Sequence, residues 1–301
     1  MNINSLKIRL RRLRHGIYTP KEFILFMADS ICEKFLHKPS RLYVNEHVKR
    51  LLHPDNESYN IKNVRLPLLD SDNERFLVSG VFDDTFYSYI FCDDKYDEAT
   101  FNKCDKFLTE GLYGLINSQV NVTVEPGDIV IDAGSWIGDF AAYSSVRGAT
   151  TYAFEPSDKI FHYLEQTARL NKNIIPVKKG LSNENTNAIF INTEDTSSGK
   201  FINNSDSQIK DSSSVETVRL DDFVHENNLP RVDFIKSDIE GFERHMLAGA
   251  QGVLREFAPK LALCTYHLPD DPEIMADLIK QANPKYNIVQ KRMKLFASVP
   301  E

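Results

Sequence analysis

The sequence has no apolar run approaching the ~20 residues a helix needs to cross a bilayer, and no short apolar core ahead of a small-residue cleavage site. Its four cysteines, Cys32, Cys92, Cys104 and Cys264, form no Cys-x-x-Cys pair and no metal-ligand spacing. Neither a disulfide framework nor a zinc site is expected, and free buried thiols in a reducing compartment are. A net positive charge is also lacking. A net charge of -7 argues against a protein that coats nucleic acid, because phosphate binding needs clustered cations. Together these absences predict a soluble, cytoplasmic protein.

The one basic cluster is local: Lys7, Arg9, Arg11, Arg12 and Arg14, with no acidic residue before Glu22. Leu6, Leu10, Leu13 and Ile17 fall between those cations at helical spacing, giving an apolar stripe flanked by positive charge. A helix packed on its own domain is the first reading. Peripheral contact with an anionic membrane surface through residues 6–17, or a targeting peptide, are the alternatives.

At 301 residues and 42% hydrophobic, the chain has material for one large domain or an ordinary domain with a smaller appendage. Phe23, Ile24, Phe26, Met27, Ile31 and Phe35 recur on one helical face that Pro39 ends. Extended segments follow at Val64 to Leu69, Arg75 to Val81 and Phe86 to Cys92, then a helix over Glu98 to Asn117. This makes residues 1–107 an accessory α+β region with no chemistry legible in it.

From Val120 strands and helices alternate, which predicts a parallel sheet covered on both faces. The expected strands are Asp128 to Asp132, Thr150 to Phe154, Ile174 to Lys179, Val232 to Ser237 and Lys260 to Tyr266. An antiparallel pair, Tyr286 to Gln290 with Leu295 to Val299, ends the series. Helices are expected over Ile137 to Arg147, Ile160 to Asn171, Leu220 to Asn228, Phe242 to Phe257 and Pro272 to Ala282. The polar stretch reaching Asp211 reads as a hairpin or loop.

Ligands in such sheets bind beyond the carboxyl ends of the strands, so the exit loops carry the chemistry. The first reads Asp132, Ala133, Gly134, Ser135, Trp136, Ile137, Gly138. Gly134 permits a tight turn and close approach to a ligand, and Gly138 permits close packing of the following helix. The dinucleotide pattern Gly-x-Gly-x-x-Gly and the P-loop pair Gly-Lys-Ser/Thr are both missing, which weakens nicotinamide and ATP readings. Glu155, placed at the end of the second strand, suits an acid that accepts hydrogen bonds from a ribose diol.

The fourth strand runs out into Lys236, Ser237, Asp238, Ile239, Glu240, Gly241, Phe242, Glu243. Three carboxylates and a lysine in one cleft are costly to desolvate unless they bind something or pair with one another. The fifth ends in Tyr266, His267, Leu268, Pro269, Asp270, Asp271, so His267 converges on the same crevice. Asp238 and His267 are the candidate catalytic residues, with Glu240 and Lys236 positioning or pairing with them. The same oxygens could hold a divalent metal such as magnesium, and the sequence leaves metal dependence open.

Read together, the Asp132 to Gly138 loop, Phe154-Glu155-Pro156, Leu220-Asp221-Asp222, Lys236 to Glu243 and Tyr266 to Asp271 resemble the FkbM-type S-adenosylmethionine-dependent methyltransferases. The resemblance covers residues 108 to 299. It implies a class I methyltransferase domain over 108–301: a Rossmann-like α/β sheet of seven strands with the last antiparallel. It also implies O-methylation of a sugar, polysaccharide or related natural-product acceptor. By analogy Glu155 would hold the cofactor's ribose, Asp132, Gly134, Ser135 and Gly138 its methionine end, and Gly180, Leu181 and Ser182 the adenine side. Ser135-Trp136 stands where the family has Ala-Asn. That departure keeps a non-catalytic binding or scaffold protein as a rival, and an NAD-linked sugar oxidoreductase as a weaker one.

Overall fold

The computed structural model describes residues 10, 19–21, 23–25, 27–28, 58–61, 63–68, 97–103, 112–192, 199–202 and 212–300. The chain divides into two compact units, Met1–Ile61 and Lys62–Glu301. In the first, the described positions between 20 and 28 are helical, as the spacing of Phe23, Ile24 and Met27 predicts, and Ser58–Ile61 is a strand. The basic cluster at Lys7 to Arg14, apart from Leu10 within it, the expected strands Arg75 to Val81 and Phe86 to Cys92, and Cys32, Cys92 and Cys104 lie outside the described residues. No helix among the described residues is long and apolar enough to cross a membrane.

The second unit is built on strands β1 Ile129–Ala133, β2 Thr150–Phe154, β3 Ile174–Val177, β4 Gly180–Ser182, β5 Thr186–Asn192, β6 Gly199–Ile202, β7 Ser212–Arg219, β8 Phe234–Ser237, β9 Lys260–Cys264, β10 Asn287–Lys291 and β11 Lys294–Ser298. Its helices are α1 Asp139–Val146, α2 Asp158–Leu170, α3 Leu220–Glu226, α4 Glu243–Ala248, α5 Gln251–Glu256 and α6 Asp271–Ala282. Seven strands form the main sheet in the order β10-β11-β9-β8-β1-β2-β3. The neighbours from β9 to β3 are parallel, whereas β11 runs antiparallel to both β9 and β10. The expected α/β class and seven-stranded sheet are what the structure shows.

The chain winds from β1 to β2 in one direction and reaches β8 on the other side, so the strand order reverses between β1 and β8. A crevice opens at such a point beyond the carboxyl ends. Side chains of the two central strands alternate between faces. Ile131, Ala133 and Ile235 join Met246, Leu247, Leu254, Met275 and Ile279 in the main apolar core. Truncating one such leucine costs about 2–5 kcal/mol. On the opposite face Phe234 packs on Phe140 of α1 at 5.9 Å between ring centroids. The same alternation brings Asp132 and Lys236 to this second face.

Three expectations need correction. The helix expected over Phe242 to Phe257 is two, because the chain bends at Gly249, where an added Cβ would stand 2.0 Å from the Ser182 carbonyl oxygen. Asp221 then supplies the acceptors that the new helix start requires, its two carboxylate oxygens taking the N–H groups of Gly252 and Val253 at 3.0 and 2.9 Å. Of the helix expected over Glu98 to Asn117, the described residues Glu98–Lys103 are helical, whereas Leu115–Ile116 is a strand paired with Asn121–Val122. Asn117 turns the chain between them, its side-chain oxygen accepting from Gln119 and Val120 N–H. Finally, the polar stretch reaching Asp211 does hold a hairpin, β5 with β6, but β7, which was not anticipated, and β4 extend it into a separate four-stranded sheet ordered β6-β5-β7-β4. The strand Val64–Pro67 also belongs to this unit, with Arg65 N–H donating to the Asn171 side chain and Asn171 Nδ2 donating back to the Arg65 carbonyl at 2.7 Å.

Candidate functional site

The β1 exit loop is held open by backbone bonds before any ligand is considered. Gly134 and Ser135 N–H groups both donate to the Phe154 carbonyl, at 3.1 and 2.9 Å, and Asp238 N–H donates to the Ala133 carbonyl at 3.1 Å. Gly134 has φ +73°, and a Cβ there would stand 2.0 Å from the Asp238 carbonyl oxygen. Only glycine satisfies both demands. Gly138, φ +87°, makes room for Leu164 and Thr167 of α2, at 2.7 and 3.0 Å from an added Cβ. Its close packing is therefore with α2, where the sequence suggested the contact between α1 and the strand.

Parallel pairing places Lys236 directly beside Asp132. Lys236 Nζ lies 2.9 Å from Asp132 Oδ1 and donates to the Gly134 carbonyl at 2.6 Å, so one ammonium fixes both the acid and the turn that follows it. Burial alone would push the Lys236 ammonium down, yet Asp132, Asp238 and Asp139 outweigh it and hold the group above the usual lysine range. Asp132 is fully buried, and neither carboxylate oxygen makes an aligned hydrogen bond. Ser135 turns its hydroxyl inward to the Asp132 carbonyl at 2.8 Å.

Glu155 caps the crevice from β2. Its Oε2 accepts from Trp136 N–H at 3.1 Å and its Oε1 from Ser157 N–H at 2.9 Å, leaving the remaining lone pairs for a ligand. Burial pushes its pKa up to about 7, against the lowering effect of the two N–H groups and Lys236. Trp136 is half-buried in a left-handed conformation, φ +50°, with its indole N–H buried and unpartnered.

Asp238 stands on the other side of the Gly134 contact. Tyr113 and Tyr266 hydroxyls donate to its Oδ2 and Oδ1, each at 2.8 Å. Burial raises its pKa, but the charges of Lys236, Lys294 and His267 and the Tyr113 hydrogen bond outweigh that and hold it below the usual carboxylate range. His267 sits among three acids: Nε2 is 3.6 Å from Asp238 Oδ1 and 3.4 Å from Glu240 Oε2, and Nδ1 is 3.2 Å from Glu243 Oε1. Desolvation opposes the imidazolium, but Glu240, Glu243 and Asp238 prevail and push its pKa up to about 10. Glu243, fully buried, also accepts from Ile239 and Gly241 N–H at 2.8 and 3.0 Å. That closes the turn in which Glu240 is left-handed, φ +57°.

Asp132, Gly134, Ser135, Glu155, Lys236, Asp238, Glu240 and His267 thus meet at the ends of β1, β2, β8 and β9. Gly180, Leu181 and Ser182 lie in β4 of the second sheet. There Leu181 belongs to the apolar core and the Ser182 carbonyl abuts Gly249, so only the backbone and Ser182 could face a ligand. Sequence reasoning missed Tyr113 and Lys294, and named Tyr266 in the exit loop without a role. Lys294 is fully buried, its ammonium 4.4 Å from the Tyr113 ring centroid and without an aligned hydrogen bond. A lysine opening the apolar run Leu295, Phe296, Ala297 was the available signal.

Comparison with known proteins follows the same residues. Positions 132–286 match the family model described as the methyltransferase FkbM domain. The chain is 27% identical over 159 residues to the hexuronic acid methyltransferase AglP of Haloferax volcanii, a match spanning 52% of this chain and 64% of that protein. Among solved structures, a methyltransferase FkbM from Methylobacillus flagellatus KT aligns with a TM-score of 0.46 and 18% identity, covering 76% of this chain and 56% of that one. Aeropyrum pernix fibrillarin, solved with natively bound S-adenosyl-L-methionine, aligns with a TM-score of 0.39 and 12% identity, over 60% of this chain and 70% of that one. The first relative and the first structure are thus each matched over less than two thirds of their own length.

Proposed function

The chain belongs to the methyltransferase FkbM domain family, and on that premise we propose that it moves a methyl group from S-adenosylmethionine to a hydroxyl oxygen of a sugar. A hexuronic acid residue in a polysaccharide is the first acceptor to test, by analogy with the Haloferax volcanii relative. Residues 108–301 carry the reaction in this reading. The observation that carries it is the join between Gly134 and Asp238, which puts the glycine turn and the acidic loop in one crevice.

The residues present fit the cofactor. The buried Asp132 carboxylate, which lacks an aligned hydrogen bond, suits the ammonium of a methionine moiety, and the spare lone pairs of Glu155 suit a ribose diol. Gly134, Ser135 and Gly138 shape the backbone around the methionine end, and Gly180 to Ser182 serve the adenine side. When bound, S-adenosylmethionine supplies a methyl carbon already activated by its sulfonium charge.

This chain's own residues then have to orient the acceptor oxygen and remove its proton. Asp238 does both. Tyr113 and Tyr266 hold its carboxylate in one orientation, and an orientation of this kind is worth several kcal/mol in a displacement that demands a straight approach. A carboxylate held below its usual pKa is a weak base for a free alcohol. It is sufficient here because the hydroxyl proton becomes strongly acidic as the oxygen gains its third bond partner. The O–H electrons return to the oxygen and the proton goes to Asp238; the methyl carbon's bond to sulfur would break with its electron pair kept by sulfur, so the products would be the methyl ether and S-adenosylhomocysteine. Lys236 acts through Asp132 and is a positioning residue.

The test is calorimetry with S-adenosylmethionine and S-adenosylhomocysteine, followed by transfer of radiolabelled methyl to glucuronate-containing and neutral oligosaccharides. Asp238→Asn should retain cofactor affinity within about two-fold and lose about 100-fold in turnover, the usual contribution of a positioned proton acceptor. Binding of neither cofactor form would overturn the reading in favour of a scaffold role.

A further inference from the structure

Two of the three acids around His267, Asp238 and Glu240, stand at ligand-to-ligand distances from its Nε2. Two ligand atoms bound to one ion at about 2.1–2.2 Å, with roughly 90–110° between them, stand about 3.0–3.6 Å apart. His267 Nε2 lies 3.4 Å from Glu240 Oε2 and 3.6 Å from Asp238 Oδ1. Among the described residues, the group whose ligand atoms all lie within 4.8 Å of one another is Asp238, Glu243 and His267, without Glu240. On its far side the ring meets Glu243 Oε1, 3.2 Å from Nδ1, in the manner of the carboxylate that fixes the tautomer of a metal-bound histidine.

A second observation separates this group from an ordinary acidic patch. The His267 side chain is 8% exposed, yet neither ring nitrogen makes an aligned hydrogen bond. Burial is also graded. The imidazole and the fully buried Glu243 form the floor, while Asp238 and Glu240 side chains are each 26% exposed, so nitrogen faces the interior and oxygen faces the crevice. An ion placed there keeps positions open toward the acceptor.

We propose that His267 and Asp238 bind a divalent first-row transition ion, with Glu240 on the exposed side of Nε2 adding an oxygen and Glu243 orienting the imidazole from behind. Mixed nitrogen and carboxylate ligands select Mn2+, Fe2+, Co2+ or Zn2+ over Mg2+, which is ligated chiefly by oxygen. The ion's role, though not its binding, rests on the methyl-transfer reading. An acceptor hydroxyl at an open position would be oriented and made more acidic, and its proton would still pass to Asp238 as the methyl ether forms.

The full chain, stripped with a chelator and titrated with Mn2+, should bind one ion, followed by electron paramagnetic resonance. Pulsed measurements should show modulation from an imidazole nitrogen. His267→Gln should abolish that modulation, and both His267→Gln and the half-exposed Glu240→Gln should weaken binding by about ten-fold or more. S-adenosylhomocysteine affinity within two-fold of the parent shows that each variant keeps its fold, and Glu240→Gln serves alone if His267→Gln does not. No binding of Mn2+ or Zn2+ by the parent chain, or binding without nitrogen modulation, would overturn the site and leave a protonated imidazole among its acids as the correct account. Absence of S-adenosylhomocysteine binding by the parent would instead sink the methyl-transfer reading, whatever the metal result.

Discussion

Gly134 and Asp238, 104 positions apart in the sequence, meet so closely that a Cβ on the glycine would stand 2.0 Å from the aspartate's carbonyl oxygen. One residue of the β1 exit turn is thereby in register with the acid proposed to face the acceptor. Gly134→Ala should cost about 2–5 kcal/mol, the sum of a left-handed alanine and a forced displacement of the Asp238 loop. Denaturant unfolding measures the loss. Calorimetry should show cofactor affinity and turnover falling together, whereas loss of stability with both intact would show that the contact is incidental to the site.

Glu155 should couple cofactor binding to pH. Its pKa of about 7 comes first from burial, and a ribose diol donating to the carboxylate favours the charged form. Binding near pH 7 should therefore release a fraction of a proton, and affinity should fall as pH drops below about 7. Calorimetry in buffers of different ionisation enthalpy reads the release directly, and Glu155→Gln should remove it. The sign for folding is opposite. A carboxyl whose folded pKa is raised disfavours the folded state above its unfolded value, so Glu155 reduces stability as pH rises from about 4.5 through about 7.

Lys236→Met should be among the more damaging substitutions in the sheet. Asp132 would remain fully buried with its charged neighbour gone, and breaking one side of such a pair costs about 3–5 kcal/mol. The double variant Lys236→Met with Asp132→Leu should recover most of that stability without recovering cofactor binding. Equal unfolding midpoints for the single and double variants would show that the pair is not the source of the loss.

The sheet was legible because its strands are short apolar runs between turn residues, and it is that length and flanking, not periodicity, that separates a strand buried on both faces from a buried helix. The crevice was legible for a related reason: Asp132, Glu155, Asp238 and His267 all stand where such runs end. What escaped depends on distant partners. Tyr113 reaches Asp238 across 125 positions, and nothing near Tyr113 in the chain announces it. The bend at Gly249 follows from the approach of Ser182, and the fresh helix start beyond it from Asp221, neither visible in the helical spacing of Met246, Leu247 and Leu254. β7 was passed over because its Ser and Thr content reads as loop, although Val215, Thr217 and Val218 turn inward.

Strand β11 follows β10 in the chain but lies between β10 and β9 in the sheet. Ribosomal synthesis therefore delivers an edge strand before the strand it must pair with, and the free edge of β9 waits until Lys294 to Ser298 have emerged. The half of the crevice built on β1 and β2 joins strands near in sequence, whereas the half containing Cys264, Tyr266 and Lys294 cannot close before β11 has been made. During that interval an unpaired apolar edge is open to other chains.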